Sequence, residues 1–468
     1  MANPQSQIHN PQSKSPPATA GGCDQYKMTK ISPARLAAFE ILSKIEAEKA
    51  FSSIILPYYE EKLAPDDRAL CHAITLGVLR RQIYLDVIIE NYTSSKKLDS
   101  AVKNALRIGL YQLIYLDKIP AYSAINESVN LVEKAKKTSA KGFVNAVLRR
   151  ATREKFEFKF ADEIERISIE TSHPRWLIEK WIEQFGFEET EKLAVANNKI
   201  PKISFRLTGK FSRKDAKAQS AILREIEGRY EKSKYVEGCF IAEKYDAELF
   251  ALAETGEIYF QDEGSQVVGQ AVNLKKGERF LDVCAAPGSK TTQIAIQNSK
   301  FKIQNLLVAG DLYFQRINLL QENCRRQGVD FINIVQYDAE ESLPFADESF
   351  DCVLLDAPCS GTGTVRHNPE IRYFLNEKDF VGLSAKQLVI LKNASKLIKN
   401  GGKLIYSTCS LEREENETVC RAFLAENQNF NLIKPDLPEK FYTSENFART
   451  FPQRDKMDGF FIAVFERK

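Results

Sequence analysis

Phe280-Leu281-Asp282-Val283-Cys284-Ala285-Ala286-Pro287-Gly288-Ser289-Lys290-Thr291 is the stretch from which the fold is read. Its apolar start reads as a buried strand. The small residues that follow let backbone approach a ligand at the N-terminus of the next helix. The spacing is not GxGxxG, so a dinucleotide is not the natural ligand. Further apolar runs lie at 306–310, 332–336, 351–355 and 403–407, with helical segments between them, and Gly459 to Phe465 reads as a final strand. Strands alternating with helices imply an α/β domain, with a mostly parallel sheet covered on both faces, over residues 261–468.

Upstream the pattern changes. Residues 30–155 read as all-helical: Ser32-Pro33 starts a helix, and Ala38, Ile41, Leu42 and Ile45 recur at helical spacing. Ala101 to Leu116 and Ile125 to Lys134 repeat the style, and a last helix carries Phe143, Val144, Val147 and Leu148. Residues 156–260 form a small α+β connector: a helix capped by Ser172-His173-Pro174, a strand at Ile203 to Leu207 and a helix around 213–226. Residues 1–29 are rich in Pro, Ser, Gln and Asn and read as a disordered tail, not a signal peptide. At 468 residues the length suits about three domains.

The net charge is only +3 but unevenly spread. Met28 to Lys155 holds 21 Lys and Arg against 14 Asp and Glu, so the helical part carries +7. Lys134 to Lys155 alone has eight basic residues and one acidic. Lys134, Lys136, Lys137, Lys141, Arg149 and Arg150 are therefore the expected phosphate contacts, joined by Arg366 and Arg372 from a basic loop after the fourth strand. A Lys-rich solvated helical surface is the plainer reading of the same charge. Nine scattered cysteines without a CxxC pair argue against a disulfide framework and a zinc site, and four histidines against a His-based metal centre. No metal is expected. No run approaches a membrane span, so the reducing cytoplasm is the expected compartment.

Two cysteine motifs carry the chemistry. Asp356-Ala357-Pro358-Cys359-Ser360-Gly361-Thr362-Gly363 ends the fourth apolar run, and Ser407-Thr408-Cys409-Ser410 ends the fifth. Ligands of open α/β sheets bind outside the carboxyl ends of the strands, so both thiols face one crevice. Asp311 and Asp338 end the second and third runs. A carboxylate at Asp311 suits ribose hydroxyls, and one at Asp338 the edge of an adenine; each can equally cap the next helix. Cytosine carbon-5 is too weak a nucleophile to take a methyl group unaided. A thiolate adding to carbon-6 turns the ring into an enamine that can. Cys71, Cys239, Cys324, Cys352 and Cys420 read as small buried hydrophobes. The residues alone do not choose which of Cys359 and Cys409 attacks.

At these motifs the chain resembles the RsmB (Sun/Fmu) branch of RNA 5-methylcytosine methyltransferases, over roughly residues 30–468. Ile119 to Glu127 and Phe143 to Arg149 resemble the NusB-like RNA-binding module of that branch; Gln261 to Gln266 and Asp458-Gly459-Phe460-Phe461 also match. The resemblance implies a Rossmann-like S-adenosylmethionine-dependent domain behind a NusB-like one. It implies Cys409 as nucleophile, Cys359 in product release and Asp356 holding the cytosine edge. It implies Cys284, Ala285, Ala286, Pro287, Gly288, Ser289, Lys290, Asp311, Asp338 and Asp356 around the donor. The implied substrate is a cytosine of 16S rRNA, of the cytosine-967 carbon-5 type, in the small ribosomal subunit or its precursor, with the enzyme a monomer. Ser289 stands where the branch usually has glycine, and Gln453 where a histidine is expected. The same chemistry on a tRNA or another rRNA site, and a non-catalytic RNA-binding or antitermination-type role, are the alternatives. The paired cysteines and the pocket carboxylates argue against the second.

Overall fold

A computed structural model describes residues 31–93, 97–154, 156–212, 214–298 and 306–468. The tail expected over 1–29 lies outside the described residues. The chain divides into two compact units.

The first unit is helical. Pro33–Glu48, Pro65–Arg80, Ser100–Tyr115, Ala121–Lys134 and Lys141–Arg153 build its core. Pro33 and Pro65 each sit in a first turn, where the missing N–H is no loss. Asp99 caps Ser100–Tyr115 by accepting from the Ala101 N–H. Ile41, Leu42, Ile74, Leu106, Leu110, Leu131 and Leu148 pack inside. The unit extends further than the expected 30–155. Glu163–Thr171, Arg175–Phe185 and Phe187–Ala196, read in sequence as the start of the connector, belong to it. The reason is tertiary: Ser172 accepts from the Tyr84 N–H at 3.0 Å, and Arg81 donates to the Glu170 carbonyl at 3.0 Å. Ser172 ends Glu163–Thr171 in a left-handed conformation, one helix earlier than its expected capping role.

Residues 367–374, which follow the fourth strand of the α/β domain, also belong to this unit. Arg372 is fully buried and donates to the carbonyls of Thr171 and Ser172 and to Asn198 Oδ1, at 3.0, 3.2 and 3.0 Å. Glu370 accepts from the Ser52 N–H at 2.7 Å and its hydroxyl at 3.0 Å. It thus places a carboxylate at the N-terminus of Ser52–Glu60. The expectation that Arg372 grips phosphate is corrected: it is buried, and its Nε and Nη1 donate to the Pro369, Thr171 and Ser172 carbonyls and to Asn198 inside the helical unit.

The second unit holds two sheets. The smaller is antiparallel, in the order β2-β3-β1-β4: β1 Ile203–Leu207, β2 Glu231–Lys232, β3 Cys239–Ala242 and β4 Ile258–Phe260. The larger contains β5 Arg279–Asp282, β6 Leu306–Asp311, β7 Asn333–Gln336, β8 Phe350–Asp356, β9 Ile398–Thr408, β10 Phe430–Ile433, β11 Ala448–Arg449 and β12 Phe461–Arg467. Its order is β10-β12-β9-β8-β5-β6-β7, with β11 on β12. The pairs among β5 to β9 are parallel; those of β12 are antiparallel. The chain leaves β5 for β6 and β7 on one side and returns to β8 on the other. That reversal opens a crevice at the carboxyl ends of β5 and β8. Helices Ser289–Asn298 and Phe314–Arg326 accompany the β5–β7 side, and Glu377–Lys396 and Glu417–Glu426 the other, while Glu263–Val272 packs against Ser289–Asn298 and β9. Inside, Phe280, Leu281, Val353, Leu354, Leu404 and Ile405 are completely buried.

Arg206 on β1 ties the two sheets together. Fully desolvated, it donates to Gln261 Oε1, Ser289 O, Thr292 Oγ1 and Gln327 Oε1, at 2.8 to 3.0 Å. Burial pulls its pKa down to about 10.

Replacing Arg372 by Met leaves the carbonyls of Thr171 and Ser172 short of donors. The expected loss is about 3 kcal/mol, read as a lowered urea midpoint. An unchanged midpoint would show that these carbonyls find other partners.

Candidate active site

Of the expected pocket carboxylates, Asp311 and Asp356 end strands and Asp338 lies just past one; Asp282, which is not among them, ends a strand as well. Asp282 closes β5 and is buried. Thr291, on the following helix, donates its hydroxyl to Asp282 Oδ2 at 2.6 Å. Oδ1 has no donor among the described residues. Burial pushes the Asp282 carboxyl up to about 7; the Thr291 hydroxyl opposes that rise, and the Asp356 charge adds to it.

The turn Cys284–Gly288 is pinned from three directions. The Ala285 N–H donates to the Gly310 carbonyl at 2.8 Å, and the Ala286 N–H to Asp311 Oδ2 at 3.1 Å. Asn323 donates to the Pro287 carbonyl at 2.9 Å. Gly288 has φ +98°, a conformation that other residues avoid. Asp311, at the end of β6, pairs with Arg316 at 3.0 Å, and Arg316 also donates to the Ala286 carbonyl at 2.8 Å. Asp338, just past β7, is half-buried and accepts from the Glu340 N–H at 2.9 Å through Oδ1. The helix- or turn-capping alternative is therefore in place at Asp338 for that oxygen.

Lys290 and Asp356 join the two sides of the crevice. Lys290 Nζ lies 2.6 Å from Asp356 Oδ2, and the Ser407 hydroxyl donates to Oδ1 at 2.7 Å. Burial alone would lower the Lys290 pKa, but the Asp356 charge and hydrogen bond outweigh it and raise it.

The two cysteines meet beyond this pair. Cys359 Sγ and Cys409 Sγ are 3.3 Å apart, although 50 residues separate them in the chain. Cys359 is buried and Cys409 half-buried. The hydrogen bond with Cys409, then burial, push the Cys359 thiol well above its ordinary range. Cys359 therefore stays protonated and can donate to the Cys409 sulfur. The loops interlock through backbone: the Gly363 N–H donates to the Cys409 carbonyl, and the Gly459 N–H to the Gly363 carbonyl, both at 2.9 Å. A Cβ on Gly363 would lie 2.1 Å from Gly459 O, so only glycine fits.

The expected phosphate contacts divide. Lys134, Lys136, Lys137, Arg149 and Arg150 are exposed on the helical unit, and Lys141 is half-exposed. Lys137, Lys141 and Arg150 pair with Asp99, Glu133 and Glu154 at 2.7 to 2.8 Å. Such surface pairs are weak and exchangeable. Arg366 is a correction. It is buried and pairs with Asp458 at 3.0 Å, so it closes the loop after β8 onto the segment before β12. Sequence reasoning missed Arg316, Arg206, Gln387 and Glu415. Each has at least one partner far along the chain, Ala286 for Arg316, Thr292 for Arg206, Pro358 for Gln387 and Ser360 for Glu415, and local spacing does not mark those.

A nucleoside sulfonium donor fits these residues. The strand-end cradle presents a buried carboxylate oxygen without a donor at Asp282, a fixed carboxylate at Asp311 and backbone held open by Gly288. Among the described residues, no helix is long and apolar enough to cross a membrane.

The chain is similar to known proteins along most of its length. The family model for 16S rRNA methyltransferase RsmB/F matches residues 269–466. A NusB family model matches 32–153, and the RsmF/B-like ferredoxin-like domain matches 173–243. The chain is 33% identical to the probable ribosomal RNA small subunit methyltransferase B of Bacillus subtilis, over 94% of this chain and all of that one. It is 35% identical to ribosomal RNA small subunit methyltransferase B of Pseudomonas putida, over 84% of this chain and 88% of that one. Among solved structures, that of PH0851 is 26% identical and covers 94% of this chain and 99% of its own, with a TM-score of 0.79. NSun6 from Pyrococcus horikoshii with SFG shares the fold at 21% identity over 63% of this chain and 98% of its own, TM-score 0.54.

The Asp282 carboxyl sets a pH dependence. Its pKa rises on folding from 3.8 to about 7, so the folded state holds the proton more tightly. The resulting stability is fully present below 3.8 and is lost as pH rises through about 7. Asp282→Asn cannot titrate. Its melting temperature relative to wild type is expected to climb between pH 4 and pH 7 and then level off. A difference that stays constant across that window would contradict the burial of the charge.

Proposed function

The chain belongs to the 16S rRNA methyltransferase RsmB/F family, and from that premise we propose that it methylates carbon-5 of a cytosine in small-subunit rRNA. The observation that carries this reading is the approach of Cys359 and Cys409 to 3.3 Å at the carboxyl ends of β8 and β9. One thiol suffices for nucleophilic attack. Two thiols converging on one point suit a reaction at two adjacent ring carbons.

In this reading S-adenosylmethionine supplies the methyl group, held by the Cys284–Gly288 turn, Asp311 and Asp338. Cys409, the more accessible sulfur, adds to carbon-6 of the cytosine and forms an Sγ–C6 bond. The electron pair of the C5=C6 bond moves to carbon-5, which becomes nucleophilic. After carbon-5 has gained its methyl group, its proton leaves to a base. The Sγ–C6 bond then breaks, which restores the double bond and returns the sulfur as thiolate. Cys359, raised and protonated beside Cys409, can donate a hydrogen bond to that departing thiolate. That hydrogen bond supports a part for Cys359 in product release. Asp356 keeps its carboxylate oriented through Lys290 and Ser407, and its half-exposed edge suits the amino group of the cytosine. The target base must leave its stack to reach the crevice. The exposed cations Lys134, Lys136, Lys137, Lys141, Arg149 and Arg150 suit phosphates of the same RNA. The reading also takes the enzyme as a monomer acting in the cytoplasm, in keeping with its free cysteines.

The test is methyl transfer from labelled donor to undermodified 16S rRNA, resolved on denaturing gels. Wild type is expected to label the RNA. Cys409→Ala should lose at least about a thousandfold in rate, as when a nucleophile is removed. Cys359→Ala should accumulate a slow-migrating RNA–protein species. Normal turnover by Cys359→Ala with no such species would remove its role in release. Wild type that labels tRNA but not 16S rRNA would move the same chemistry to a different substrate.

A further inference from the structure

The chemistry above needs two sulfurs at a fixed separation, and one carboxylate ties down the loops that carry them. Glu415 lies fully buried between β9 and the helix Glu417–Glu426. Its Oε1 accepts from the Ser360 N–H at 2.8 Å and from Gln387 Nε2 at 3.0 Å. Its Oε2 accepts from the Ser410 hydroxyl at 2.5 Å and from the Ser360 hydroxyl. Ser360 follows Cys359, and Ser410 follows Cys409. The network continues to the other side of the first cysteine, because Gln387 also donates to the Pro358 carbonyl at 2.9 Å. Tyr406, on β9, donates to the Glu415 carbonyl at 2.5 Å and so fixes the backbone of the latch.

All four donors to the carboxylate are neutral. Burying an acid among neutral partners carries a desolvation penalty that an apolar plug would avoid. Burial accordingly pushes the Glu415 carboxyl up, and the donors from Ser360, Ser410 and Gln387 oppose it. What the acid provides, and an apolar residue cannot, is acceptors for donors from two different loops at once.

We propose that Glu415 is a positioning residue: its carboxylate ties the Cys359 and Cys409 loops together and sets the sulfur–sulfur separation that the two-cysteine reaction uses. This rests on the reaction proposed above, but the separation itself can be tested without RNA. Methylarsonous acid condenses with two thiols, forming two As–S bonds and releasing two waters, with no change of oxidation state. A pair held ready binds it more tightly than a pair that must first be ordered.

The experiment titrates wild type, Cys409→Ala, Glu415→Ala, Glu415→Gln and Ser410→Ala with methylarsonous acid by intact-mass spectrometry. Donor binding, melting temperature and methyl transfer are measured on the same samples. Wild type is expected to form the bridged species, and Cys409→Ala to form none. Glu415→Ala should bind the arsenical at least about tenfold more weakly, with Glu415→Gln and Ser410→Ala between it and wild type. The kcat should fall in the same order, while donor affinity stays within about twofold, because the donor cradle is untouched. Ser410→Ala removes a single arm, so a Glu415 variant that fails to fold does not close the question. Variants that melt lower but keep wild-type arsenical affinity and kcat would make Glu415 a structural plug and overturn the proposal. If the affinities separate as stated while wild type methylates no RNA, the positioning role stands and the proposed reaction falls.

Discussion

The ion pair between Lys290 and Asp356 is the constraint on which the crevice depends. Lys290 stands in the first turn of the helix after β5, and Asp356 is the last residue of β8. With Ser407 of β9 on the other carboxylate oxygen, a single side chain joins the ends of three elements. The parallel register places Asp356 opposite Ser407, so the loops carrying Cys359 and Cys409 start side by side. Two cysteines far apart in the chain become neighbours because sheet register, ion pair and interlocked backbone agree. Lys290 is nearly closed to water, so removing Asp356 would leave its charge poorly compensated.

The parallel sheet was legible because its strands are buried on both faces and read as continuous apolar runs. The expected runs fall on β5 to β9, and the last expected strand falls on β12, shifted by about two residues at its start. The short antiparallel strands β10 and β11 carried no such signal. Phe430-Asn431-Leu432-Ile433 is an edge segment whose pairing with β12 is decided by tertiary contact. The same limit explains Glu163–Ala196. Only the helix after Ser172-His173-Pro174 was visible in it; the flanking helices Glu163–Thr171 and Phe187–Ala196, and the neighbours all three pack on, were not.

Charged residues were the least legible. Arg366 and Arg372 stand in a polar loop and read as phosphate grips, yet both are buried. Their partners are Asp458 in one case and the backbone near Thr171 in the other. Glu415 errs in the opposite direction. Within Glu412-Arg413-Glu414-Glu415-Asn416-Glu417 it looks like part of a solvated charge run, yet it is fully buried, and its carboxylate is met by serines of two loops. Burial of a polar side chain depends on where its acceptors or donors arrive in space, and local sequence does not encode that.

The cysteines differ in a way that bears on their roles. Cys359 is the enclosed thiol, pushed upward by its neighbour and by burial; Cys409 is the one with an open side. The most direct measurement is to incubate the enzyme and methyl donor with a 16S rRNA fragment whose cytosines carry fluorine at carbon-5. That substitution removes the proton whose loss permits release. The trapped peptide is then identified by mass spectrometry. The account predicts RNA joined to the peptide containing Cys409, in wild type and in Cys359→Ala alike. RNA joined to Cys359, or methyl transfer without any trapped peptide, would contradict it.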